Sequence, residues 1–449
     1  MGNWPDCITW LKTPMSLTQE LIGLIRNKPI QPNDLDQAAL LVIDAVGCAY
    51  AGTATPVGKI LREWAGAQGY DDKRAALLMG ALTHITETDD LHRASVTHPG
   101  CVVIPAVLAL GERLGSSAEQ TLIAIMHGFE AMCRIGAGVG PAHYKVWHNT
   151  ATCGPFGSAM ACASLLGLDE EQTLNALGNA GTQASGFWQF MATGAMSKHL
   201  HAGRACESGW LAAELAQHNF TGSPEILEGA KGFFVAMCDD PKPEQVMAEA
   251  DAPWQIHATS IKPWPSCRHT HPIIDCALEL HDMIGGQQAS SINVKTYQAA
   301  LDVCNYPQPE SEYQAKFSLF HTAAIATLDG EVGLNSFDET ARARTTELRG
   351  RTQIEIVDPY LSNYPVSWGA EVMLTTDSGE TFKVSRQDCK GDPELALDRD
   401  EMRHKAMGLM QFGGLNADQA RSVCDSILSL PSAPPTPAIF HNFIGSLKI

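Results

Sequence analysis

From about residue 16 to about residue 235, apolar positions recur at helical spacing. Leu21, Ile22 and Ile25 form one stripe, and Ala38, Leu41, Val42, Ala45 and Val46 form a second. This i, i+3, i+4 pattern predicts amphipathic helices with one face toward a core. Asn33-Asp34 is expected to cap the second of them. Further helices are predicted at about 57–67, 71–88, 102–114, 117–137, 150–167, 170–184 and 196–218, with Gly111, Gly167 and Gly222 near ends or turns. Small residues crowd the segment GPFGSAMACASLLG (154–167), which predicts close helix–helix approach in a tight bundle.

Near residue 240 the pattern changes. DDPKPEQ (239–245) is rich in proline and charge. Beyond it a helix is expected at about 269–283, followed by alternating strand-like runs at 291–299, 352–358 and 370–386, with a helix near 313–328 between them. Asp377-Ser378-Gly379 separates two alternating runs and predicts a hairpin. From about 394 to 430 the periodicity is helical again. The predicted fold class is mainly α. A large all-helical domain spans 1–260, a smaller α+β domain spans 261–392, and a C-terminal segment, 393–449, packs back on the helical domain.

Length and charge narrow the function. The chain has 449 residues and a net charge of −19, with 31 Lys and Arg against 50 Asp and Glu. Such an acidic chain is not expected to bind nucleic acid or an anionic membrane over a broad surface. No stretch approaches the roughly 18 to 20 uninterrupted apolar residues of a membrane span. The segment MGNWPDCITWLK lacks the charged start and apolar block of a signal peptide, and the thirteen cysteines are scattered in apolar contexts. A cytoplasmic location with reduced thiols is therefore expected.

Familiar cofactor signatures are absent from the sequence: no phosphate-binding G-x-x-x-x-G-K-[ST], no C-x-x-C, no H-E-x-x-H and no G-x-S-x-G occurs. Gly136-Ala-Gly138-Val-Gly140 follows a helix and has the wrong spacing for a dinucleotide turn. His269-Thr270-His271 could ligate a metal in a hydrolase, but no thiol or carboxylate nearby completes a set. No metal or cofactor is expected.

Four clusters of ionisable residues interrupt small, apolar sequence. The first runs from His84 through Asp89, Asp90, His92 and Arg93 to His98. The second is His143 to Thr150, the third Lys198-His199-Leu200-His201-Ala202-Gly203-Arg204, and the fourth Lys262 to His271. Together they hold nine of the sixteen histidines. A lone histidine at a helix entrance, such as His98 or His148, is ordinarily a cap or a packing residue, and Lys198 and Arg204 could mark a solvated helix face. The apolar surroundings Ala195, Met196, Leu200 and Ala202, and the coincidence of four clusters, favour an anion pocket. Lysine and arginine pair with carboxylates, histidine moves protons, and a neutralised carboxylate acidifies the adjacent C–H.

In this order the clusters resemble the MmgE/PrpD family, which includes 2-methylcitrate dehydratases, cis-aconitate decarboxylases and iminodisuccinate epimerases. The resemblance is carried by GALTHITETDDLHRASVTHPG (80–100), WHNTATCGPFGSAMACASLLGL (147–168), MSKHLHAGRACESGWLAAEL (196–215), LEGAKGFF (227–234), KPWPSCRHTHPIIDCAL (262–278) and AKFSLFHTAAIATLDGEV (315–332). It implies a helical domain with an α+β lid, C-terminal helices returning to the first domain, a homodimer and no cofactor. It places Asp89, His98, His148, Lys198 and Lys262 in a pocket between the domains. Cys267 stands where the decarboxylase branch has a histidine, and His321 where that branch has a tyrosine. The stretch at 97–100 lacks the longer H-P-S-D-N run of the methylcitrate dehydratases.

The expected activity is cofactor-independent proton abstraction α to a carboxylate of a small di- or tricarboxylate. A hydro-lyase like 2-methylcitrate dehydratase is favoured, an iminodisuccinate-type epimerase comes next and a cis-aconitate-type decarboxylase third; a non-catalytic helical binding protein is the alternative of another class. His98 and His148 are the candidate base and acid, with Asp89 orienting His98. Lys198, Lys262 and Arg268 would anchor carboxylates. Cys267, His269, Arg93, Asp90 and His321 complete the expected substrate contacts.

Overall fold

The computed structural model describes residues 15–68 and 71–433, so the ends of the first and last expected segments lie outside the described residues. The chain is mainly helical with a small mixed sheet. Helix α1 (Leu17–Asn27) begins at Ser16, whose hydroxyl accepts the Gln19 N–H while the Gln19 side chain accepts the Ser16 N–H. Helix α2 spans Pro32–Ala54. The expected Asn33-Asp34 cap falls one turn late. The helix starts at Pro32, a residue suited to a first turn, and Asp34 reaches back to accept the Gln31 N–H at 2.7 Å.

Helix α2 has 23 residues, and an 18-residue window of it has a mean hydropathy of 1.3, enough by length and composition to cross a membrane, although Asp44 interrupts its apolar run. Its apolar window is 83% buried inside the protein, and its sequence includes Asp34, Asp36 and Asp44. It is a core helix here.

Helices α3 (Pro56–Gln68), α4 (Asp72–Thr83), α5 (Gly100–Leu114), α6 (Ala118–Gly138), the short α7 (Pro141–Tyr144), α8 (Asn149–Leu165), α9 (Glu170–Gly181) and α10 (Ser197–Gln217) complete the helical body. Helix α8 touches α5, α6, α9 and α10. The small residues permit this. A Cβ at Gly209 of α10 would lie 1.9 Å from the Ser158 hydroxyl, and one at Gly157 would lie 2.7 Å from Met132 Cβ.

The expected helix 71–88 stops at Thr83, and residues 84–90 form a buried turn. The sequence T-E-T-D-D offers hydroxyls and carboxylates that compete for backbone groups. Glu87 adopts φ 60°, which ends the helical path and turns its side chain inward. A two-stranded pair, β1 (Leu91–His92) with β2 (Thr259–Ser260), follows this turn.

A second core is built on four strands: β3 (Ala289–Thr296), β4 (Thr352–Ile356), β5 (Ala370–Thr376) and β6 (Thr381–Arg386), in the order β4-β3-β5-β6. The β3–β4 pair is parallel, and the other two are antiparallel. Gly379, at φ 86°, makes the predicted hairpin turn. Val372 and Leu374 of β5 face the core, where the helices His271–Ile284 and Leu319–Asp329 pack. The expected helix 313–328 is two helices, Glu312–Lys316 and Leu319–Asp329. The break falls at Phe317-Ser318, where the Ser318 hydroxyl caps the second helix through the His321 N–H.

The helix Arg399–Phe412 lies against α2: a Cβ on Gly47 would sit 3.1 Å from Ala406 Cα, and Lys405 pairs with Asp44. The helix Ala417–Leu428 packs beside it and also touches α2.

Candidate functional site

A cavity of about 540 Å³ opens between the helical body and the sheet-bearing unit. Three separate segments supply its charged floor. The turn after α4 provides Glu87, with Asp89 buried behind the lining, the first turn of α10 provides Lys198, and the stretch after β2 provides Lys262. Glu87 forms an ion pair with Lys198 and a second, at 3.3 Å, with Lys262, whose ammonium also donates to the Glu87 carbonyl at 3.1 Å. All three side chains are buried. Burial alone would raise the Glu87 carboxyl, but Lys198 and Lys262 outweigh it and hold it well below the usual carboxylate range. Burial would lower the Lys262 ammonium, but Glu87 and then Asp89 push it up instead. The floor is thus two ammonium groups sharing one carboxylate.

Histidines line the adjoining wall. Asp89 Oδ2 lies 2.6 Å from His84 Nδ1 and 3.3 Å from His98 Nδ1. Burial raises the Asp89 carboxyl, but the two histidines hold it well below its ordinary value. His84 stacks against His148 at 5.6 Å and meets His98 edge-on at 4.7 Å. Burial pushes His98 down to about 4 despite the opposing pull of Asp89. Burial, then the neighbouring His84 and Lys198, push His148 well below its ordinary value. Both rings are therefore neutral at pH 7, as a general base must be. The Asp89 carboxylate faces His98 Nδ1 as a charge at 3.3 Å rather than as a hydrogen-bond partner. His148 Nδ1 faces His201 Nδ1 at 3.3 Å.

The structure brings Asp89, His98, His148, Lys198 and Lys262 together. Cys267, Arg268 and His269 also line the cavity. Arg268, however, has its charge engaged: its guanidinium pairs with buried Asp392 at 2.5 Å and donates to His271 Nδ1 at 2.7 Å and to the Lys390 carbonyl at 3.3 Å. It shapes the wall more than it offers a free cation. His269 Nδ1 lies 2.7 Å from the Tyr297 hydroxyl, and its ring stacks on Trp368 at 4.4 Å. With His269 tied to Tyr297 and His271 to a guanidinium, this pair is poorly arranged for a metal. His84, Asp89 and His98 do present donor atoms within 4.8 Å of one another. The Lys262 ammonium lies close enough to this corner to add to the depression of His98.

Three expected substrate contacts do not line the cavity. Arg93 turns away to Glu394, Asp388 and Asp392, a cationic link between the β1 turn and the segment after β6. Asp90 accepts the Gly100 N–H at the start of α5 through both oxygens, at 3.0 and 3.1 Å. Burial and then Asp89 raise its carboxyl well above the usual range. His321 is buried in the sheet-bearing unit, held by the Thr345 hydroxyl at 3.1 Å and the Ser336 carbonyl at 2.8 Å.

Glu87 and His84 lie inside the first sequence cluster but were not singled out as site residues. The signal that could have found Glu87 is electrostatic. Two lysines predicted to be buried in apolar sequence need a buried counter-charge. Trp188, Tyr144, Phe317 and Trp368, which line the upper cavity, carry no sequence signature that separates them from core aromatics.

Two domain families match the chain: the MmgE/PrpD N-terminal domain over residues 21–246 and the MmgE/PrpD C-terminal domain over residues 264–429. The human cis-aconitate decarboxylase is 25% identical over 413 residues, covering 86% of this chain and 84% of that protein. The cis-aconitate decarboxylase of Aspergillus terreus is 28% identical over 346 residues, covering 69% and 70%. A cis-aconitate decarboxylase-like protein of Aspergillus oryzae is 26% identical over 484 residues, covering 96% and 98%. The ordered clusters, the two domain matches and these similarities lead to one conclusion: the chain belongs to the MmgE/PrpD family.

Proposed function

We propose that this protein is a lyase that removes a proton α to a carboxylate of a small di- or tricarboxylate, without a cofactor. The observation that carries the proposal is the floor of the cavity, where Lys198 and Lys262 share Glu87 beside His98, which faces the Asp89 carboxylate. A substrate carboxylate docked on the two ammonium groups is neutralised, which lowers the cost of the enediolate-like charge formed on deprotonation. His98, neutral and facing the Asp89 carboxylate, accepts the proton. His98, protonated by that step, hands the proton to a leaving hydroxyl, because His148 across the His84 stack is held neutral. The sheet-bearing unit, 261–392, acts as a lid that excludes water.

Dehydration is the preferred reaction. The second reading, decarboxylation of a cis-aconitate-like acid, draws support from the names of the three relatives. Against it stands Cys267, a thiol where that branch carries a histidine. We also place the enzyme in a reducing, cytoplasmic compartment as a homodimer. The twelve described cysteines are all free and buried, which fits the compartment.

Product analysis tests the proposal. The protein is incubated with 2-methylcitrate, citrate or cis-aconitate and the products are read by proton NMR. A new olefin from either citrate supports dehydration. Itaconate from cis-aconitate would transfer the assignment to decarboxylation. Unchanged substrates in all three, together with no measurable binding, would overturn the carboxylate-lyase proposal.

A further inference from the structure

The upper cavity is lined unlike its floor. Tyr144, Trp188 and Met191 come from the helical body, and Phe317, Tyr364 and Trp368 from the sheet-bearing unit. The two kinds of wall are joined. The Trp188 ring lies 4.7 Å from His148 and 5.2 Å from Tyr144, and the Lys198 ammonium sits 5.6 Å over the Phe317 ring. Tyr364 and Trp368 pack at 5.6 Å on the opposite side. Trp188 Nε1 is buried with no hydrogen-bond partner among the described residues.

The cation supply on the floor is small. Lys198 and Lys262 together carry two charges, of which Glu87 cancels one, and Arg268 is neutralised by Asp392. One net positive charge therefore remains on the floor, whereas an apolar substituent would meet aromatic faces. The volume of about 540 Å³ lies in the range of sites that enclose drug-sized ligands.

We infer that the substrate carries, besides the carboxylate held by Lys198 and Lys262, an apolar substituent the size of a benzyl group or short alkyl chain, seated between Trp188 and Phe317. This rests on the carboxylate reading of the same floor and names the kind of acid it takes. The carboxylates would fix the reacting carbon, and burial of the substituent against the aromatic wall would supply most of the affinity.

Two ligands with the same pair of carboxylates separate the claims: succinate and 2-benzylsuccinate, each titrated calorimetrically into the intact protein. Benzylsuccinate is expected to bind at least about tenfold tighter, a gain within the range of burying one aromatic side group. In Trp188→Ala the ratio of the two affinities is expected to shrink severalfold. Equal binding of the two acids by the native protein, or tighter binding of succinate, overturns this inference and leaves the carboxylate floor standing. Binding of neither acid overturns both.

Discussion

Glu87 and Lys198, 111 residues apart in sequence, form a buried ion pair on the floor of the cavity. Lys262 completes the group from a third segment. Each of the three is costly to bury alone, and each is made tolerable by the others. That mutual dependence makes the floor the most sensitive part of the molecule to substitution.

Glu87→Gln leaves two ammonium groups in a buried space without their shared counter-charge. Removing one partner of a buried ionic group typically costs about 3–5 kcal/mol. The variant is expected to lose stability on that scale in urea denaturation. It is also expected to lower kcat/KM by at least about a hundredfold, because the carboxylate anchor is mis-set. A variant with native stability and activity would show that the ion pairs are incidental.

Asp89→Asn keeps the size of the side chain but removes the charge that faces His98 Nδ1. A positioned general base contributes about 10²–10⁴-fold, so a drop in kcat within that range is expected, with a smaller change in KM. In the native enzyme His98 is held down to about 4. The acid limb of kcat/KM against pH should therefore lie nearer 4 than the 6.5 of an ordinary histidine. An acid limb at about 6.5 would assign the base elsewhere.

Stability should depend on pH through the buried neutral histidines. Burial first of all holds His98 and His201 down to about 4 and His199 to about 3. In the unfolded chain they titrate near 6.5. Between these values the unfolded state binds more protons, so stability rises with pH across the window. It is fully present above about pH 6.5 and is lost as pH falls toward 4. The stabilisation from the depressed carboxyls of Glu87 and Asp89 is present above their ordinary range, near 4, and is lost only as pH falls below it, so it does not shape this window. Melting temperatures are expected to fall steadily from about pH 7 to about pH 5; a flat profile would contradict the neutral, buried state of these rings.

Cys267 is the one described cysteine whose thiol is held below its ordinary value. The Cys304 hydrogen bond and the Lys262 charge together outweigh burial. It also lines the cavity. Iodoacetamide should therefore modify Cys267 ahead of the other described cysteines, and a bound dicarboxylate should slow the reaction. Peptide mass mapping of partly alkylated protein checks this. First labelling of any other described cysteine would contradict the assignment.

Lys405 tests the tie between the C-terminal helix and the site. Its ammonium pairs with Asp44 of α2 and donates at 2.7 Å to the carbonyl of Thr88, the residue between Glu87 and Asp89. Lys405→Met is expected to cost about 3 kcal/mol by stranding buried Asp44. It should also reduce kcat by loosening the turn, with partial rescue in Lys405→Arg. Unchanged stability would show that the helix is only loosely attached.

Helix periodicity was legible in the sequence because the α1 stripe of Leu21, Ile22 and Ile25 and the α2 stripe of Ala38, Leu41, Val42, Ala45 and Val46 repeat at helical spacing, and the β5–β6 hairpin because Asp377-Ser378-Gly379 separates two alternating runs. The turn at 84–90 was not. It is polar yet buried, a combination that arises only once Lys198 and Lys262 arrive from elsewhere in the fold. The same long-range pairing hid Glu87. Arg93, chemically suited to substrate, is drawn into an ion network by Glu394, 301 residues away, whereas Asp90 and His321 are held at a helix entrance and in a core by partners within 24 residues. Clusters of ionisable residues locate a site in sequence; which of their members face it depends on the partners each finds in the fold.

The central claim is abstraction of a proton α to a carboxylate by His98 over the Lys198–Lys262 floor. The most direct measurement is proton NMR in D₂O with a citrate-type substrate, comparing the native enzyme with His98→Asn and with Lys198→Ala at equal folded concentration. The account predicts an olefinic product, or deuterium at the α-carbon of recovered substrate, from the native enzyme, and a loss of at least about a hundredfold in both variants. Undiminished product formation or deuterium uptake in His98→Asn and Lys198→Ala would contradict it.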